Sequence, residues 1–157
     1  MIRPRPLTAE AFAPWGEVLE AAGPPDRLIN GGLCVRFHDR ARIDVAEGRL
    51  GLSVFLAEPR ALPLRVAMVE RHPLGSQAFV PMTQAPFLVV VAEAGEAPGA
   101  VHAFLTNGAQ GVNLSRGAWH GVLTPLAAPG LFAVVDRIGE GANTEEFHLA
   151  EPVVVGP

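Results

Sequence analysis

The sequence predicts an all-β fold, a single β-barrel or jelly roll with one or two short helices near the N-terminus. Three observations carry that expectation. Gly (17) and Pro (15) are spread along the 157 residues, cutting the chain into pieces too short for long helices. Between these breaks stand short apolar runs rich in Val, Leu and Phe, separated by turn clusters such as "AGEAPG", "TNGAQG" and "AAPG". One of the runs, "FLVVV", is apolar at every position and requires a sheet covered on both faces.

Taken in order, the first element is a helix over 9–13 ("AEAFA"), with Thr8 as its N-cap and Pro14 as its stop. Strands are then expected over 51–57, 63–72, 78–82, 87–93, 100–106, 111–115 and 131–137, with a last one at "PVVV" near the end. Many strands at regular spacing indicate a barrel or jelly roll rather than βαβ units. With no internal repeat and no linker-like stretch, residues 1–157 read as one domain.

Composition narrows the function. At 49% hydrophobic and 18% charged, the chain is neither disordered nor fibrous. No apolar run is long enough to cross a bilayer, and "MIRPRPLTAE" lacks the apolar core of a signal peptide. The one cysteine, Cys34, has no partner for an intrachain disulfide, which suits the cytoplasm. A net charge of −4 without a basic run argues against nucleic acid. All 12 basic residues are arginine, and tyrosine is absent. Schiff-base chemistry, a lysine base and a tyrosine shuttle are thereby excluded, leaving His, Asp, Glu, Cys34 or water to move protons.

Candidate site residues come from strand parity. Leu64, Val66, Met68, Glu70 and His72 share one face of the strand over 63–72, opposite Arg65, Ala67, Val69 and Arg71. The first face starts apolar and ends in a carboxylate and an imidazole, as in a strand whose floor is packed and whose mouth lines a polar pocket. A strand simply leaving the core at Glu70 has the same pattern. A second group, "GAQGVNLSRGAWHGVL", sets Asn113 on a strand and His120 just after a turn. Glu70, His72 and His120 brought together suit a divalent ion, or acid–base chemistry without one. Cys34, Arg36 and His38 alternate with Leu33, Val35 and Phe37; with Arg36 and His38 facing the pocket, Arg36 is the preferred anchor for an anionic substrate. His102 and His148 read as ordinary structural or surface histidines. Asp136 and Arg137 read equally well as a structural ion pair.

"ERHPLGSQAFVPM", "FLTNGAQGVNLSRGAWH" and "VVDRIGEGAN", with "PLTAEAFAPWGEVLE" and "INGGLCVRFHD" before them, resemble the ureidoglycolate lyase family, formerly ureidoglycolate hydrolase. The resemblance covers nearly the whole chain in order and is weakest after about Glu145. It implies a cupin-like barrel, usually a homodimer, that converts (S)-ureidoglycolate into glyoxylate and urea in allantoin breakdown. Compared with metal-binding cupins, Glu70 takes the place of the first histidine, His72 of the second and Gln77 of the glutamate, with His120 the remaining histidine. His72, His120 and Gln77 are then the candidate metal ligands, for Ni²⁺ or another divalent ion if one is needed at all. Elimination of urea itself asks only for a base, an acid and a carboxylate anchor. His72 or His120 is the expected base, with Glu70 orienting it or acting as the acid. Gln77 and Asn113, with Arg36 and His38, are the expected substrate-binding residues. Two rival functions remain at this level: a metal-dependent cupin of another reaction, such as a dioxygenase or isomerase, and a non-catalytic cupin that binds a small anion.

Overall fold

A computed structural model describes residues 1–157. In chain order the elements are β1 (Arg5–Pro6), α1 (Ala9–Phe12), β2 (Gly16–Leu19), β3 (Arg27–Ile29), β4 (Cys34–Arg36) and β5 (Arg49–Ala57). There follow β6 (Leu64–Arg71), β7 (Gln77–Pro81), β8 (Phe87–Ala92), β9 (Val101–Leu105) and β10 (Gly111–Leu114). The last are β11 (Trp119–His120), β12 (Thr124–Pro125), β13 (Gly130–Ile138) and β14 (Glu145–Val155). A 3-10 turn over Asn30–Gly32 joins β3 to β4. The chain is thus almost entirely β, as its turn-punctuated apolar runs require.

The strands form two main sheets. One runs β1-β9-β8-β11-β6-β14, with β12 also pairing β8; the other runs β2-β10-β7-β13-β5. All pairings are antiparallel except β1 on β9 and the bridge of Ile2 to Val155. The short β3–β4 hairpin stands apart from both sheets. Thr8 caps α1 by accepting from the Ala11 amide through Oγ1 at 3.2 Å. The helix stops at Phe12, one residue before the expected end.

Strand β8 shows how the core is built. Phe87, Val89 and Val91 point into the space between the sheets, against Phe79, Val112, Phe132 and Val134. Leu88, Val90 and Ala92 point to the other face, against Val69, Trp119 and Val155. Both faces are covered, so every residue of β8 is buried, in line with its unbroken apolar run. Strand β6 departs from the expected one-sided pattern: Val69, on the face opposite Glu70, is fully buried. The reason is β14, which pairs along β6 and brings Phe147 against this second cluster. Arg71, on the same face as Val69, lies over the Trp119 ring at 4.3 Å and pairs with Glu145.

Candidate active site

Register fixes which side chains meet. His120 of β11 lies opposite Val91 of β8 and Glu70 of β6, and Val91 belongs to the core between the sheets. His120 and Glu70 therefore point into that space, and His72 follows on the same side of the chain. From the other sheet, Gln77 lies opposite Leu114, again a core residue, so Gln77 also points inward. Two sheets thus aim two imidazoles, a carboxylate and an amide at one place. A ligand atom from each of Glu70, His72 and His120 lies within 4.8 Å of the others. The two imidazole rings are 5.1 Å apart, centroid to centroid.

Hydrogen bonds set the chemistry of each group. His120 is buried, and its Nδ1 lies 2.9 Å from the Gly121 carbonyl, an acceptor only. Nδ1 therefore carries the proton, and Nε2 holds a lone pair that meets no partner. Burial, together with the nearby His72, pushes the His120 pKa down to about 4, against a smaller opposing effect of the Gly121 carbonyl. The imidazole is neutral at neutral pH. His72 Nδ1 lies 2.8 Å from the Asn143 carbonyl and is likewise a donor, while its Nε2 lies 3.2 Å from Gln77 Oε1 and 4.0 Å from Glu70 Oε1. Glu70 is half-buried, and desolvation raises its carboxyl above the usual range; His72 opposes the shift and Glu146 adds to it.

Gln77 Oε1, Glu70 Oε1 and the His120 Nε2 lone pair all face a small region in which something positive is needed. A proton on His72 Nε2 meets that need, and so does a divalent cation. The donor set fits such a cation, since both histidines donate Nδ1–H to backbone carbonyls and so direct Nε2 inward, the usual outer support of metal-binding imidazoles. The unpartnered, buried His120 Nε2 is the observation that most favours the fit. On the core side of His120 a void of about 10 Å³, lined by Phe79, Val112 and Leu114 among others, has room for at most one water.

Three expected site residues are not brought to this place. Asn113 sits between Val112 and Leu114, both core residues, so strand alternation turns it to the outer face of its sheet. There its Nδ2 donates to Glu17 Oε2 at 2.8 Å and to the Arg42 carbonyl at 3.1 Å. Arg36 and His38 lie on and after the β3–β4 hairpin, whose ends are tied by Asp26: its amide bonds the Arg36 carbonyl, and its carboxylate accepts from the His38 amide. Both Arg36 and His38 are exposed, and β3 and β4 pair only with each other.

Two contributors lie within "VVDRIGEGAN" but are not among the expected site residues. The Asn143 carbonyl holds His72 Nδ1 as a donor, and the Asn143 side chain accepts from the Leu74 amide at 2.7 Å. Asp136 accepts from Gln77 Nε2 at 3.1 Å. Arg137 does not pair with it; Nε bonds the Glu47 carbonyl and Nη2 the Glu140 carbonyl. His102, beside Glu93 and against the Trp15 ring, and the exposed His148 are remote from the cluster in their contacts.

Comparison with known proteins agrees over the whole length. A family profile described as ureidoglycolate lyase matches residues 1–156. The chain is 60% identical over 152 residues to a ureidoglycolate lyase of Rhodobacter capsulatus, covering 96% of this chain and 94% of that one. It is 51% identical to the ureidoglycolate lyase of Mesorhizobium japonicum, over 95% of this chain and 93% of the relative. Ureidoglycolate lyase 2 of Rhizobium meliloti is 49% identical, over 96% and 94% of the two chains.

Proposed function

This chain belongs to the ureidoglycolate lyase family and is an enzyme of that class, and we propose that it eliminates urea from (S)-ureidoglycolate to leave glyoxylate, using the Glu70–His72–His120 cluster. The observation that carries the reading is the convergence of those three groups, with Gln77, in a chain matched end to end by lyases of that name.

The substrate carbon bears a hydroxyl, a carboxylate, a hydrogen and the ureido nitrogen. Elimination takes the proton from the hydroxyl, forms the aldehyde C=O and breaks the C–N bond. A proton delivered to the departing nitrogen completes urea, so no water is consumed. His120 Nε2, a lone pair in a neutral ring, accepts the hydroxyl proton. Glu70, whose carboxyl is biased toward its protonated form, donates to the leaving nitrogen. His72, held between the Asn143 carbonyl and Gln77 Oε1, faces the substrate carboxylate, and Arg36 stands apart on an exposed hairpin. Gln77 Oε1 accepts from the urea N–H groups as a neutral partner for a neutral leaving group.

A divalent ion, Ni²⁺ included, would be held by Glu70, His72 and His120 with Gln77 Oε1 beside them. It would supply Lewis-acid charge to lower the pKa of the substrate hydroxyl. We further infer a cytoplasmic homodimer acting in allantoin breakdown, with residues 1–157 as one functional domain. The unpaired Cys34 fits a reducing compartment, and no helix is long and apolar enough to cross a membrane. The dimer is supported by an exposed apolar stripe, Leu52, Val54 and Leu56, on one face of the edge strand β5.

Product analysis tests the reaction. Purified protein given (S)-ureidoglycolate, with and without chelator, is expected to release urea and glyoxylate in equal amounts. Release of ammonia and carbon dioxide instead would assign it to amide hydrolysis and overturn the proposal.

A further inference from the structure

We propose that Asp136 is a positioning residue, which acts through Gln77 to decide what His72 faces. Asp136 lies in phase with Phe132 and Val134, so β13 turns it inward beside two core residues. A carboxylate on such a face needs a donor. Its neighbour Arg137 points the other way, to the carbonyls of Glu47 and Glu140. The donor that meets Asp136 is the Gln77 amide, with Nε2 3.1 Å from Oδ2.

The two ends of a glutamine amide are nearly the same size and opposite in hydrogen-bond character. Asp136 Oδ2 accepts from the NH₂ end of Gln77, which leaves Oε1 for His72 Nε2, 3.2 Å away. Across the strands, Val135 lies opposite Ala78, which sets Asp136 and Gln77 next to one another at the end of the β7–β13 ladder. Without Asp136, the Gln77 side chain keeps His72 as its only hydrogen-bond partner. The amide is then free to turn and present its NH₂ end to His72 Nε2. His72 would lose the acceptor that, with the Asn143 carbonyl on its other nitrogen, fixes its ring. The arrangement is the outer support that histidines in acid–base and metal sites require, here built from an amide and a carboxylate in series.

The inference rests on the assignment of Gln77 and His72 to the site, and a pair of substitutions tests it. In Asp136→Asn either amide end is allowed next to Gln77, and kcat/KM is expected to fall roughly 10- to 100-fold. In Gln77→Glu two carboxylates face each other, and activity is expected to fall as well. In the double variant the amide introduced at position 136 donates to the carboxylate introduced at position 77. The other oxygen of that carboxylate faces His72, so kcat/KM recovers above both single variants. The ¹⁵N imidazole resonances of His72, read in the same proteins, should move in Asp136→Asn and return in the double variant. Additive losses with no return of either readout would overturn the proposal. So would an unfolded Asp136→Asn protein in a melting experiment, since Asp136 would then serve the core. If the site reading itself fails, His72→Ala keeps its activity; if only this inference fails, His72→Ala is inactive and Asp136→Asn is active.

Discussion

At the residue scale, the site contains two titratable groups pushed in opposite directions by the same cause. Burial disfavours charge, lowering the pKa of His120 to about 4 and raising that of Glu70. The consequences for stability have opposite signs. For His120 the folded value lies below the unfolded one of 6.5, so its contribution is complete above pH 6.5 and is lost as pH falls toward 4. That shift corresponds to about 3 kcal/mol. For Glu70 the folded value lies above the unfolded one of 4.5, so its contribution is complete below pH 4.5 and is lost as pH rises through the folded value. Melting temperatures between pH 4.5 and 6.5 are therefore expected to rise more steeply with pH in Glu70→Gln than in the wild type. In His120→Asn the rise should flatten or reverse, and equal slopes in the two variants would contradict both assignments. The pairing of Glu70 with His72 and His120 was legible from parity and from the turn before His120. Asp136 was legible by the same rule, because Phe132, Val134 and Asp136 alternate with Leu131, Ala133, Val135 and Arg137. Reading Asp136-Arg137 as a charge pair hid it: adjacent residues on a strand point to opposite faces.

At the scale of elements, strands with an apolar run announced themselves, and two-residue or polar ones did not. β5, β8 and β13 each carry an apolar run with turn residues at its ends, and their expected spans differ from the observed ones by at most two residues at an end. β11 and β12 are two residues each, too short to show any alternation, and depend on pairing with β8. β14 extends over Glu145–Val155 although its first half is polar, because it covers the length of β6 with a break in register between His148 and Val153. Asn113 shows the limit of locating a residue on a strand without its phase. Its outer-face bonds fasten the segment around Arg42 to the sheet, and its Oδ1 is buried without a partner. Asn113→Ala should destabilise the fold by about 1–3 kcal/mol while leaving kcat within a few-fold. A large fall in kcat without loss of stability would return Asn113 to the substrate site.

At the scale of the whole molecule, the two faces of the β2-β10-β7-β13-β5 sheet have different fates. The inner face packs the core, while the outer face of β5 leaves Leu52, Val54 and Leu56 at 73%, 65% and 74% exposure. Val54 lies opposite Ala133, which lies opposite the exposed Val80, so the apolar surface continues across three strands. Apolar side chains grouped in this way suit an interface, and the proposed homodimer would form through this face. On that proposal Val54→Glu with Leu56→Glu should shift the protein from dimer to monomer in sedimentation or light scattering. A wild type that is monomeric at high concentration would remove that face from consideration.

In the proposed reaction His120 takes the substrate's hydroxyl proton beside Glu70 and His72, and the initial rate of urea release by His120→Ala tests that role most directly. A folded variant should release urea from (S)-ureidoglycolate roughly 10²- to 10⁴-fold more slowly than the wild type; a rate within a few-fold of wild type would contradict the account.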